Sequence, residues 1–168
     1  QAVIQGIAED KGLYVPESIP ALPFDLKEMA EKIAAGKAGY RDVAHAVIGA
    51  FFDDFTEDEM KACIEGAYDK KFTAEDIVDI KTAGGAHFLE LYHGKTAAFK
   101  DMALSILPYL MTTSCKKEGE ENKICILTAT SGDTGKAALE GFAGVPGTEI
   151  VVFYPCDGVS QVQERQMI

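Results

Sequence analysis

The sequence predicts an α/β protein in two parts. Residues 1–86 read as a mostly helical region, and residues 87–168 as the start of an open, mostly parallel sheet with flanking helices. Three observations carry that reading. Apolar residues in the first half recur every three or four positions, the period of a helix with one buried face. In the second half, short apolar runs of strand length ("HFLELYHG", "ILTAT", "EIVVFYP") alternate with segments of helical spacing, which is the grammar of a parallel sheet with crossover helices. Between the last two runs lies a glycine-rich turn, "TSGDTG", at the strand end where open α/β sheets place their ligands.

Taken in order, the opening "QAVIQGIAEDKGLYVPESIPALP" mixes short apolar groups with Gly and Pro and predicts one or two short strands and an extended crossing. From residue 24 to 35, Leu26, Met29, Ala30, Ile33 and Ala34 share one helical face, and the glycines at 36 and 39 break it. A second helix is expected over 40–52, with Val43, Ala44, Val47, Ile48 and Phe51 on one side. A third begins at Thr56, where Glu59 three residues later completes capping-box spacing. "TAEDIVDIKTAGG" predicts a helical turn or two before its glycines.

Beyond residue 87 the strands alternate with "KDMALSILPYLMTTSCKK" and "TGKAALEGFAG", both of helical spacing. Pro108 lacks an amide hydrogen, so it must begin or kink the first of these. "CKKEGEENK" reads as a charged, solvated loop. The final "SQVQERQMI" enters a helix start, and the first residue is not Met, so the expectation is a piece of a longer polypeptide.

Composition narrows the partners. With 16 Lys and Arg against 27 Asp and Glu, the net charge is -11, which opposes non-specific attraction to nucleic acid or an anionic bilayer. No apolar run approaches the roughly 20 residues of a membrane span, and the N-terminal stretch lacks the basic start and apolar core of a secretory signal. Cytoplasmic location is the expectation. Cys63, Cys115, Cys125 and Cys156 form no C-x-x-C pair; they read as reduced, buried small hydrophobes rather than as a disulfide framework or zinc site.

Two constellations carry candidate chemistry. In "TATSGDTGKA", the amides of Ser131, Gly132, Asp133 and Thr134 can turn toward one point while the helix that follows adds a positive field, a suitable seat for a carboxylate or phosphate. The same residues serve equally as a capped helix start, with Asp133 or Thr134 as N-cap. The pattern is neither a Walker loop nor a spaced dinucleotide fingerprint. Lys100, in "AAFKD", has two readings as well: a solvated first-turn lysine beside Asp101, or an amine beside a helix N-terminus and Phe99, where the dipole and exclusion of water favour the uncharged, Schiff-base-forming state.

Taken together, "ELYHGKTAAFKDMAL", "ILTATSGDTGKAALEGFAG" and "VVFYPCDGVSQVQERQM", with the lead-in "IQGIAEDKGLYVPESIP", strongly resemble threonine synthase, a pyridoxal-phosphate enzyme of the tryptophan synthase β-subunit class (fold type II). The resemblance spans the chain and matches that family's N-terminal portion. It implies conversion of O-phosphohomoserine and water into threonine and phosphate, a carbon–oxygen lyase reaction. Lys100 then carries pyridoxal 5'-phosphate, and Thr130, Ser131, Gly132, Asp133, Thr134 and Gly135 form the loop for the substrate's α-carboxylate. Asp133 takes the place of a residue near the cofactor's ring hydroxyl, where the wider class often has asparagine.

Two positions depart from the family: Lys11 where a second glycine is expected after Asp10, and Lys95 where a small residue or proline is common. For the substrate's phosphate, His93, Lys95 and Lys136 are candidates by charge alone. Related dehydratases or β-replacing enzymes, and a non-catalytic binding module, are the alternative readings. Poor activity of these 168 residues by themselves is the expectation.

Overall fold

The computed structural model describes residues 1–130 and 132–168. They form two compact units, 1–66 and 67–168.

In the first unit, α1 (Ala2–Gln5) is followed by a tight turn closed by a bridge between Ile7 and Leu13. The expected strands at this end are thus a one-turn helix and a single bridge. Gly6 turns the chain with φ 70° after only four helical residues, and the Ala8 amide bonds the Gly12 carbonyl at 3.0 Å across the turn. Lys11 sits there at φ 70°, a left-handed conformation that favours glycine, so the departure from the family pattern at this residue carries local strain.

Helix α2 (Leu26–Ala34) starts at Asp25, whose carboxylate accepts from the amides of Lys27 and Glu28, and Glu28 pairs with Lys32 one turn on. Helices α3 (Tyr40–Gly49) and α4 (Glu57–Ala67) follow. The Thr56 capping box forms in full: Glu59 N donates to Thr56 Oγ1, and Thr56 N donates to Glu59 Oε2.

The second unit opens with an antiparallel hairpin of β1 (Asp79–Ala83) and β2 (Ala86–Glu90). Where a helical turn was expected, "DIKTA" is a strand, because Gly84 and Gly85 both adopt positive φ (58° and 79°). That is the two-residue turn whose twist suits a hairpin, and it draws residues 79–83 alongside 86–90. The strand expected near residue 87 therefore pairs with β1 and not with the parallel sheet. A division of the chain at 86/87 would cut β2 after its first residue; the boundary between the compact units lies twenty residues earlier.

Beyond the hairpin come α5 (Asp101–Leu104), α6 (Leu107–Lys117), β3 (Ile124–Ala129), α7 (Asp133–Phe142), β4 (Thr148–Phe153) and α8 (Gln161–Arg165). Pro108 starts α6 rather than kinking it. Strands β3 and β4 pair in parallel, Ile124 opposite Thr148 through Ala129 opposite Phe153, with α7 as the crossover. Ile124, Ile126, Ile150 and Val152 lie on the more buried face of this pair, and Leu127, Val151 and Phe153 on the exposed one. The α/β class is therefore as read.

The core of this unit includes Tyr68, Phe72, Ile77, Ala98, Ile106, Leu110, Ala137, Ala138, Phe142 and Val145. Phe88 and Tyr92 are exposed on and just beyond the hairpin. Of the cysteines Cys63 is buried, while Cys125 and Cys156 are exposed.

One close approach organises the second unit. Helix α5 packs on α7, and a Cβ at position 141 would overlap the carbonyl of Leu104. Only glycine lets the two backbones meet there. In an ordinary helix Gly→Ala stabilises by about 1 kcal/mol. For Gly141→Ala we expect the reverse, a loss of about 1–3 kcal/mol from overpacking, measurable by urea or thermal unfolding.

Candidate functional site

The segment leading to Lys100 is held by a buried carboxylate. Asp101, the first residue of α5, is only 4% exposed. Its Oδ2 accepts from Thr96 N at 2.9 Å and its Oδ1 from Thr96 Oγ1 at 2.5 Å, so both oxygens face donors, as a buried charge requires. The loop wraps tightly around it. A Cβ on residue 94 would overlap the Asp101 side chain; Ala97 N donates to Gly94 O, Asp101 N donates to Ala98 O, and Ala97 is in the left-handed region at φ 54°. Thr96, Ala98 and Asp101 turn inward, whereas Phe99 is 62% exposed and Lys100 is half-buried.

Two parts of the sequence argument for Lys100 change. Helix α5 has a single turn, too few aligned peptides for a large dipole. Phe99 does not wall off water; the Lys100 amine lies 4.8 Å from its ring centroid, within reach of a cation–π contact. Among the described residues, no carboxylate pairs with Lys100.

On the facing element, the "TSGDTG" turn links β3 to α7. Ser131 lies outside the described residues. Thr130 continues the ladder, its amide donating to the Phe153 carbonyl at 2.9 Å, and its Oγ1 accepts from Gly132 N at 3.3 Å. Gly135 N donates to Gly132 O. Of the expected amides, that of Gly132 is thus engaged within the turn itself, and those of Asp133 and Thr134 have no acceptor among the described residues. These are the first two positions of α7, where helical geometry leaves the donors open.

Asp133 is pinned from two sides: its Oδ1 accepts from Gln163 Nε2 at 3.1 Å and from Lys136 Nζ at 3.1 Å. Those hydrogen bonds hold its carboxyl below the usual aspartate range, the bond from Gln163 contributing most and that from Lys136 next. Modest burial opposes the shift, and the positive charge of Lys100 adds to it. Lys100 therefore lies close enough to act on the Asp133 carboxylate, as expected of residues joined by the α5–α7 contact.

The three candidate phosphate ligands all have acidic partners. Lys136, with its side chain only 10% exposed, pairs with Asp133. Lys95 meets Glu140 Oε1 at 2.6 Å, and this contact raises the amine above its usual range. His93 Nε2 lies 3.0 Å from Glu90 Oε2, while its carbonyl accepts from the amide and hydroxyl of Thr73. His45 and His87 make single contacts, to the Glu57 carbonyl and to Thr82 Oγ1. Sequence reasoning passed over Gln163 and Asp101. The spacing Ser160-x-x-Gln163 was a visible capping signal, but nothing local tied it to residue 133.

Comparison with known proteins agrees with the resemblance. The family model described as "Threonine synthase N terminus" matches residues 1–68. Threonine synthase from Pseudomonas aeruginosa is 37% identical over 167 residues, covering 98% of this chain and 34% of that protein. The crystal structure of pyridoxal-phosphate-bound threonine synthase from Brucella melitensis superposes with TM-score 0.83 at 36% identity, covering 99% of this chain and 34% of that one. The yeast threonine synthase structure gives TM-score 0.84 at 32% identity, with the same two coverages. The chain spans about a third of the length of the relatives it matches.

Asp101→Ala leaves the two Thr96 donors without acceptors in a buried setting and should cost about 2–4 kcal/mol in unfolding experiments; Asp101→Asn, which retains one acceptor, should cost less. Because the Asp133 carboxyl is depressed on folding, its contribution to stability is complete above the ordinary aspartate range and is lost as pH falls through the lowered value. Lys136→Met should move the Asp133 titration upward, which carboxylate NMR would register as a rise in its midpoint.

Proposed function

We propose that the full-length gene product is a pyridoxal-phosphate-dependent threonine synthase, converting O-phosphohomoserine and water into threonine and phosphate, and that this chain supplies its reactive lysine and carboxylate-binding loop. The observation carrying this reading is the pairing pattern. Lys136, Lys95 and His93 each face a carboxylate, whereas Lys100 has none among the described residues. Its charge nevertheless reaches Asp133 on the loop opposite.

An unpaired, half-buried amine suits covalent attachment to an aldehyde-bearing cofactor. Bound there, pyridoxal phosphate supplies the electron-withdrawing ring that stabilises negative charge at the substrate's Cα. Every other role falls to the chain. Asp101 and Thr96 fix the backbone from which Lys100 projects. The open amides of Asp133 and Thr134 receive the α-carboxylate and so set the orientation of the Cα–H bond. With the cofactor in place, Lys100 Nζ would take the proton from the substrate's Cα and return protons later in the turnover.

Asp133 has its own consequence. Held ionised, it repels an anionic oxygen and requires a hydrogen-bond donor opposite it, so a ring hydroxyl beside it would be protonated. A substrate phosphate bound by Lys95, Lys136 or His93 must displace the carboxylate that each already holds. The aspartate in this loop, where related dehydratases and β-replacing enzymes usually carry asparagine, favours threonine synthase over those activities. The reaction class belongs with soluble biosynthetic chemistry in the cytoplasm, and no helix among the described residues is long and apolar enough to cross a membrane.

Incubating the full-length gene product with pyridoxal phosphate, reducing with borohydride and mapping peptides should place the adduct on Lys100. Lys100→Ala should remove the adduct and lower phosphate release from O-phosphohomoserine by at least a thousandfold. An adduct elsewhere, or turnover yielding 2-oxobutyrate in place of threonine, would overturn the assignment.

A further inference from the structure

Gln163 lies thirty residues beyond the glycine-rich loop, yet its side chain reaches back to it. Its backbone amide donates to Ser160 Oγ at 3.2 Å, and its Oε1 accepts from Ser160 N at 3.1 Å, the reciprocal capping box of α8. Its Nε2 donates to Asp133 Oδ1. The amide has one permissible orientation. Rotated by 180°, its NH2 would face the Ser160 N–H, donor against donor, and its oxygen would face the Asp133 carboxylate, acceptor against acceptor. The cap therefore dictates which end of the amide meets the loop. The packing leaves little freedom: a Cβ on residue 132 would stand 2.7 Å from Gln163 Nε2, so Gly132 lets the amide lie against the loop backbone.

We propose that Gln163 is a positioning residue of the site, its capped amide holding Asp133 as a hydrogen-bond acceptor and with it the open amides at the start of α7. The proposal rests on the reading that the loop holds substrate opposite Lys100. It assigns to α8 a role beyond its own five residues: the Ser160 cap orients Gln163, Gln163 orients Asp133, and Asp133 is the first residue of α7. The charged groups acting on Asp133 are Lys136 on its own helix and Lys100 at the head of α5, and neither replaces a neutral donor fixed in direction.

The two jobs of Gln163 separate in one substitution. Gln163→Glu keeps an acceptor for Ser160 N and places an acidic residue in the first turn of α8, which suits the cap and the helix dipole; a residue serving only as a cap would tolerate it. As a tether it fails, because a carboxylate oxygen then faces the Asp133 carboxylate. Asp133→Asn in the same protein restores a bond of reversed polarity, the introduced amide donating to the introduced carboxylate.

The experiment is a double-mutant cycle on the full-length gene product, reading kcat/KM for O-phosphohomoserine and the thermal midpoint at pH 7.5. Gln163→Glu should lower kcat/KM at least tenfold, mainly through KM, and lower the midpoint. In the Asp133→Asn background the same change should cost less than threefold, with no fall in midpoint. Equal effects in both backgrounds, or none in either, would overturn the proposal. Should the wild-type protein show no turnover of O-phosphohomoserine, the functional reading fails, and the midpoint cycle alone decides whether the tether exists.

Discussion

The carbonyl of Leu104 occupies space that any side chain at residue 141 would need, and much of the candidate site depends on that contact. Because α5 is a single turn, it cannot hold its own orientation; nucleation of so short a helix is unfavourable without tertiary support. Packing against α7 provides the support. It brings the residue at the head of α5, Lys100, toward the residue at the head of α7, Asp133, whose carboxyl is depressed mainly by the bonds from Gln163 and Lys136, with the charge of Lys100 a minor addition.

Around this contact, two carboxylates serve for orientation, Asp101 buried and Asp133 exposed. Asp101 engages both of its oxygens with Thr96, and so shapes the loop from which Lys100 emerges. Asp133 is held between Lys136 and Gln163. The buried, fully satisfied Asp101 adds less net stability than its strong bonds suggest, since desolvation offsets much of the gain, but it restricts the backbone of its loop to one arrangement. Lys95, His93 and Lys136 each meet a carboxylate, of Glu140, Glu90 and Asp133 respectively, so Lys100, with no carboxylate partner among the described residues, stands apart from them.

The exposed apolar face of β3 and β4, with Leu127, Val151 and Phe153, and the short hairpin, open on both sides, are features that two strands alone do not protect. They accord with a chain that spans about a third of the length of its relatives. The parallel pair nonetheless builds the strand-end position where its class of sheet places a ligand, because that position needs only β3, the turn and α7.

Local patterns were enough to show the helices at 26–34, 40–49 and 57–67, the two parallel strands and the capping box at Thr56, because period, cap chemistry and strand length are written into neighbouring residues. The motifs around Lys100 and residues 130–135 were legible for the same reason. The hairpin was missed because "DIKTA" takes its conformation from a partner strand beyond two glycines, and a five-residue run has no helical or extended preference strong enough to decide alone. Whether Phe99 shields Lys100 or receives its charge, which of Lys95, His93 and Lys136 are already paired, and that Gln163 reaches Asp133 were settled only by tertiary structure. Each depends on the direction of a side chain across a distance the chain closes by folding, and no spacing along the sequence encodes that direction.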